Sequence, residues 1–195
     1  MQDKTRTASI SGRRRLITAT TVTALFGALT AAGTFISIPL PLNPVPIVLQ
    51  NMFAILSGLV LGPILGGAAV ALYLVAGALG APVFSGGAGG FVHFFSPTGG
   101  YLFGYLFAAI VAGLLAGRPR RDRRTPVWRI TLATVCGFLA VYVPGLLGLK
   151  AALNSSWLAV VSTGFLPFLI GDTVKAIGAA LISLRLRRLT ADLLD

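Results

Sequence analysis

The chain has 195 residues, 55% of them hydrophobic and only 11% charged, with a mean hydropathy of +0.87. Soluble domains charge roughly a quarter of their residues, so a water-soluble fold is excluded. There is no Glu, and five Asp stand against 16 Lys plus Arg, a formal charge of +11. A nucleic-acid surface would need those cations on one polar face with stacking groups between them. Here they lie between apolar runs, so no nucleic-acid partner is expected. The single cysteine, Cys136, leaves no intrachain disulfide and no cysteine metal cage. The length is that of one domain, and residues 1–195 are read as a single transmembrane domain.

A helix needs about 20 mostly apolar residues to cross a bilayer core of roughly 30 Å. After a basic tail over 1–15, the first such segment is Leu16 to Ile38, too long an apolar run for a cleavable signal. Ile38 to Gln50 carries Pro39, Pro41, Pro44 and Pro46 between Leu40, Leu42 and Val45, which predicts an extended strap and forbids helix. Val48 to Leu61 and Leu65 to Leu79 are two short spans separated by a tight turn at Gly62 and Pro63. Ala81 to Gly100 is a glycine-rich loop containing Phe84, Phe91, Phe94 and Phe95; the rings argue for a lid or cavity wall over a flexible linker, with an interfacial aromatic belt as the rival. Gly100 to Gly117 follows, then a basic loop over 118–129, Ile130 to Leu149, Trp157 to Leu184 and a tail over 185–195.

The expected fold is therefore an all-α integral membrane protein of six transmembrane helices. Lys and Arg are retained on the cytoplasmic side. Lys4, Arg6, Arg13, Arg14 and Arg15 precede the first span; Arg118, Arg120, Arg121, Arg123, Arg124 and Arg129 fill the 118–129 loop; Arg185, Arg187 and Arg188 follow the last. With both termini cytoplasmic these 14 of the 16 cations lie inside, leaving Lys150 outside and Lys175 within a span. The same bias provides attraction to anionic membrane lipid.

Asp172 is the only acid placed within a span, and Lys175, three positions on, shares its helical face. Ionisable groups at membrane depth face a bundle interior or cavity, which makes the pair a candidate site; the alternative is a structural ion pair. Gln50, at the mouth of the second span, adds a donor and an acceptor. Asn51 points about 100° away on a helix and is weighted below it. Tyr101 is given a cavity role because it follows the glycine loop, whereas Tyr73 and Tyr105 read as core or interfacial aromatics. His93, the lone histidine, reads as a packing residue. No phosphate loop, zinc-protease motif or nucleophile elbow is present, so no enzyme activity, metal or cofactor is expected. Ala24, Ala28 and Ala32 form a small-residue stripe suited to close helix approach, either within the bundle or against a partner.

Taken in order, the segments 24–31 (ALFGALTA), 36–41 (ISIPLP), 45–50 (VPIVLQ), 82–90 (PVFSGGAGG), 97–102 (PTGGYL) and 165–175 (FLPFLIGDTVK) resemble the BioY family of biotin-binding substrate-capture (S) components of energy-coupling factor transporters. The resemblance runs from about residue 16 to residue 184 and departs from the family pattern at Phe91 to Phe95. It implies a multi-pass protein of the cell membrane with its pocket near the outer face. Its ligand would be biotin, with no cofactor, and its partners a transmembrane coupling subunit and two cytoplasmic ATPases. Some relatives act without them. Biotin's ureido N–H groups, carbonyl and carboxylate suit Asp172, Lys175 and Gln50. The backbone of Gly87, Gly89 and Gly90 and the ring of Tyr101 would close over its apolar body. In S components a stripe like Ala24, Ala28 and Ala32 meets the coupling subunit. Another heterocyclic vitamin, an integral-membrane enzyme using Asp172, and a structural membrane anchor are the competing readings.

Overall fold

The computed structural model describes residues 2–41, 43–122 and 124–194, with side chains from Gly12 to Leu193. Leu42 of the strap, Arg123 of the basic loop, and the side chains of Lys4 and Arg6 lie outside the described residues. The chain is mostly helical: α1 (Gln2–Ala32), α2 (Gln50–Ala78), α3 (Gly99–Ala116), α4 (Val127–Leu153), α5 (Trp157–Gly164) and α6 (Leu169–Leu194), with one antiparallel ladder pairing β1 (Ser37–Ile38) to β2 (Ile47–Val48). Among the described residues, five segments are long and apolar enough to cross a membrane. Their outward faces carry unpaired apolar side chains such as Leu158, Ile170 and Val174, each more than half exposed.

One of the five is folded back on itself. Gly62 adopts φ 82 and ψ 179 inside α2, a conformation in which a side chain would be strained, and Pro63 starts the next helical arm without needing a donor. The arms 50–61 and 63–78 then run antiparallel, so Gln50 and Tyr73, 23 positions apart, touch through a 2.9 Å hydrogen bond. Close approach requires small residues. A Cβ on Gly66 would lie 2.6 Å from the Gly58 Cα, and one on Gly58 would collide with the Ala109 carbonyl of α3. Glycine and alanine at such contacts let backbones pack where lipid supplies no hydrophobic driving force.

α3 is the centre of the bundle. Ala109 and Gly113 meet α2, and Gly104, where a Cβ would sit 2.5 Å from the Val141 carbonyl, meets α4. The core between them is fully buried at Ile55, Leu59, Val70, Ala108, Ala112 and Ile130.

Three boundaries correct the expectations. The first span ends at Ala32, not Ile38: the chain turns at Gly33, which packs where a Cβ would lie 2.9 Å from Gln50 N and whose carbonyl accepts from Leu49 N at 3.3 Å, and then enters β1. The described residues of the proline strap form no helix, as expected, but the strap is not one extended path: its two ends pair antiparallel as β1 and β2, and between them Asn43 N donates to the Leu40 carbonyl at 3.2 Å in a turn. Trp157 to Leu184 is not one continuous helix: α5 stops at Gly164, a short 3-10 turn covers Leu166–Phe168, and α6 begins at Leu169. Pro167 causes the break, since it cannot donate to the Thr163 carbonyl. That carbonyl accepts instead from Asn43 Nδ2 of the strap at 2.9 Å, and the Gly164 carbonyl accepts from the Tyr101 hydroxyl at 2.8 Å.

Candidate substrate-binding cavity

The break sets the chemistry of the site. It places Asp172 in the first turn of α6, where the helix's unsatisfied N–H groups favour a negative charge, and Lys175 one turn later on the same face. Both are buried, at 8% and 9% exposure, and the Lys175 Nζ lies 2.7 Å from Asp172 Oδ1. The ammonium also donates to the Val48 carbonyl (2.9 Å) and Asn51 Oδ1 (3.2 Å), so each of its three protons has an acceptor. Asp172 Oδ1 accepts from Asn51 Nδ2 at 3.0 Å, and Oδ2 accepts from the Tyr142 hydroxyl at 2.5 Å. Isolated buried charges are strongly unfavourable, whereas this pair is matched and its remaining lone pairs and protons are bonded.

The network forms one wall of a cavity lined by the strap, α2, α3, α4 and α6. The strap contributes Val45, Pro46 and Val48; α3 contributes Tyr101, Leu102 and Tyr105; Phe168 comes from the break. Gln50 also lines the cavity, with its amide hydrogens on the Tyr73 hydroxyl and the Val83 carbonyl, both at 2.9 Å. Its structural work is to tie the two arms of α2 to the start of the glycine loop. Thr34 Oγ1 donates to the same Val83 carbonyl at 2.6 Å.

Of the residues singled out from sequence, Asp172, Lys175, Gln50 and Tyr101 are brought together on the cavity. Gly87, Gly89 and Gly90 do not line it. They shape the turn behind it: Phe84 and Ala88 form a bridge closed by hydrogen bonds of 2.8 and 3.2 Å, Gly87 and Gly90 take positive φ, and Gly90 N donates to the Gly77 carbonyl at 2.7 Å. This geometry delivers the buried Phe84 ring to the wall, edge-on to Tyr73 and Phe94 at centroid separations of 5.7 and 5.6 Å. His93, expected as a packing residue, does pack on Phe84 at 6.1 Å but also reaches the cavity lining.

Two members were missed. Helical phase ranks Asn51 below Gln50, yet its side chain bridges both charges. The phase argument holds: Gln50 turns toward Tyr73 while Asn51 turns toward α6, and the charged side is Asn51's. Tyr142 lay inside an apolar run of α4 with nothing in the sequence to mark it. Ala24, Ala28 and Ala32 are all exposed on the outer face of α1.

Comparison with known proteins places this geometry in context. The BioY family model matches residues 3–192. A protein of Pyrococcus horikoshii named probable biotin transporter BioY is 40% identical over 84% of this chain and 93% of its own length. The biotin transporter BioY of Thermotoga maritima is 41% identical over 86% of this chain and 95% of its own. Among solved structures, the chain is similar to the S-component for biotin from an ECF-type ABC transporter, with a TM-score of 0.78 at 29% identity, covering 88% of this chain and 92% of that one.

Proposed function

The chain belongs to the BioY family, and from that premise we propose that it takes up biotin as the substrate-binding component of an energy-coupling factor transporter. It is a transport protein and not an enzyme. The observation that carries the reading is the Asp172, Lys175, Asn51 and Tyr142 network on the wall of an otherwise largely apolar cavity. Biotin offers two ureido N–H donors, a carbonyl acceptor, an apolar thioether ring and a carboxylate. Asp172 accepts, Lys175 donates, and Asn51 and Tyr142 supply both capacities, while Val45, Val48, Leu102 and Phe168 receive the apolar body. These polar groups hydrogen-bond one another, so biotin binds by exchanging hydrogen bonds with groups already held in place. Gln50 and Tyr101 support the wall, and Gly87, Gly89 and Gly90 act through the turn that seats Phe84.

The topology completes the proposal. The chain crosses the cell membrane six times: α1, the two arms of α2, α3, α4, and α5 with α6 as one broken crossing. The arms of α2, about 18 and 24 Å long by helical rise, are shorter than the hydrocarbon core, and the strap and loop complete their outer ends. Both termini and the arginine-rich loop face the cytoplasm, so the cavity, at the strap end, opens toward the outside. The exposed Ala24, Ala28 and Ala32 stripe meets the transmembrane coupling subunit, and two cytoplasmic ATPases supply the energy.

The experiment is equilibrium binding of biotin, thiamine and riboflavin to the detergent-purified chain alone. Saturable binding of biotin with neither competitor displacing it is the expected result. Tighter binding of another vitamin would reassign the substrate.

A further inference from the structure

At the end of the bundle opposite the substrate cavity, described residues between Pro119 and Val127 and the stretch of α6 from Leu184 to Asp192 line an open cleft of about 560 Å³. Its floor is Arg187, buried and fully engaged: it donates to the carbonyls of Leu59, Ala116 and Gly117 and to Thr125 Oγ1. Its rim carries the exposed Arg120, Arg121, Arg124 and Arg188 against one acid, Asp192, which already pairs with Arg121 at 3.0 Å. Arg120, Arg124 and Arg188 have no acidic partner among the described residues. Guanidinium forks of this kind match phosphate oxygens.

Val127 and Leu184 add apolar side chains to the lining, and beyond the cleft Leu181, one turn before Leu184 on α6, and Trp128, next to Val127 on α4, are exposed at 61% and 68%. A soluble anion would have no use for exposed apolar neighbours. Cations beside exposed apolar side chains on two helices fit a molecule with an anionic head and hydrocarbon tails, and basic pockets between helices at a membrane surface serve that purpose. We propose that this cleft binds the phosphodiester headgroup of an anionic phospholipid, with Arg124 and Arg188 on the phosphate and the acyl chains against the exposed Leu181 and Trp128 side chains of α6 and α4. The site shares with the biotin reading only the bilayer around it.

The test uses the full chain in detergent with Trp157→Phe, which leaves Trp128 as the one tryptophan of the two in the sequence. Phosphatidylglycerol brominated in its acyl chains is titrated against Trp128 emission beside the matching phosphatidylcholine. Each arginine near an anionic surface contributes about fivefold, so quenching by phosphatidylglycerol is expected at a mole fraction about tenfold lower or less. Arg124→Gln with Arg188→Gln should bring the two lipids within about twofold, while Arg13→Gln with Arg14→Gln, which removes equal charge from the start of α1, should leave the preference standing. Equal quenching by both lipids, a preference that survives the cleft double variant, or its loss in the Arg13 and Arg14 control would overturn the proposal. Displacement of the lipid by millimolar inorganic phosphate would do the same, by making the ligand a soluble anion. Biotin binding measured on each variant separates the two claims: a failed lipid result with biotin affinity intact counts against the cleft alone.

Discussion

Two adjacent residues, Gln50 and Asn51, divide bonds within the scaffold from bonds to the buried charges. Gln50 gives its amide hydrogens to neutral partners, Tyr73 and Val83, whereas Asn51 gives and accepts bonds with Asp172 and Lys175. A neutral hydrogen bond contributes about 1 kcal/mol and one to a charged group about 1.5 to 3 kcal/mol. At about 1.4 kcal/mol per tenfold, Asn51→Ala should weaken biotin by roughly tenfold or more and Gln50→Ala by roughly fivefold. Calorimetric titration decides the order, and a larger loss in Gln50→Ala would contradict the assignment. Lys150, whose ammonium serves the Ser155 carbonyl at 3.1 Å and the Trp157 ring, is the control, and Lys150→Ala should bind as wild type. The pairing of Asp172 with Lys175 was legible in the sequence because an i, i+3 pair of ionisable residues inside an apolar run has few other uses. Asn51 and Tyr142 were not legible, since their roles depend on which helices become neighbours.

Among the elements, turns set by backbone chemistry could be read and breaks inside apolar runs could not. Gly62 and Pro63 announce a turn because one residue tolerates positive φ and the next needs no donor. Pro167 sits in an equally apolar stretch, and its break is stabilised from outside, by Asn43 and Tyr101 on the freed carbonyls. Those partners are more than 60 positions away in the chain, so sequence alone carried no local sign of them. α1 poses the opposite case. Its Ala24, Ala28 and Ala32 stripe was open to either core packing or a partner, and the structure leaves it exposed. Replacing Ala24 or Ala28 with Phe should therefore reduce biotin uptake in cells carrying the coupling module while leaving biotin affinity of the purified chain unchanged. Parallel loss of binding and uptake would return that face to the bundle.

At the scale of the whole molecule, two buried cation centres pin opposite ends of α6. Lys175 joins the strap to α2 and α6 at one end, and Arg187 gathers the carbonyl ends of the first α2 arm and α3 at the other. From sequence Arg187 reads only as one of the tail arginines, because charge statistics locate a side of the membrane and not a side chain's partners. The long α6 thus spans the bundle between the arginine cluster and the cavity, and the account stands on the claim that its first turn meets the ligand. Asp172→Asn tests this most directly, since it keeps the shape and one acceptor but replaces an acceptor with a donor and leaves Lys175 unbalanced. Losing one partner of a desolvated, hydrogen-bonded charge pair costs about 2 to 5 kcal/mol, or roughly 30-fold and more in affinity. Titrating biotin into wild-type and Asp172→Asn protein, matched for folded material by thermal unfolding, should show that loss; wild-type affinity in Asp172→Asn would leave Asp172 and Lys175 a structural pair and contradict the account.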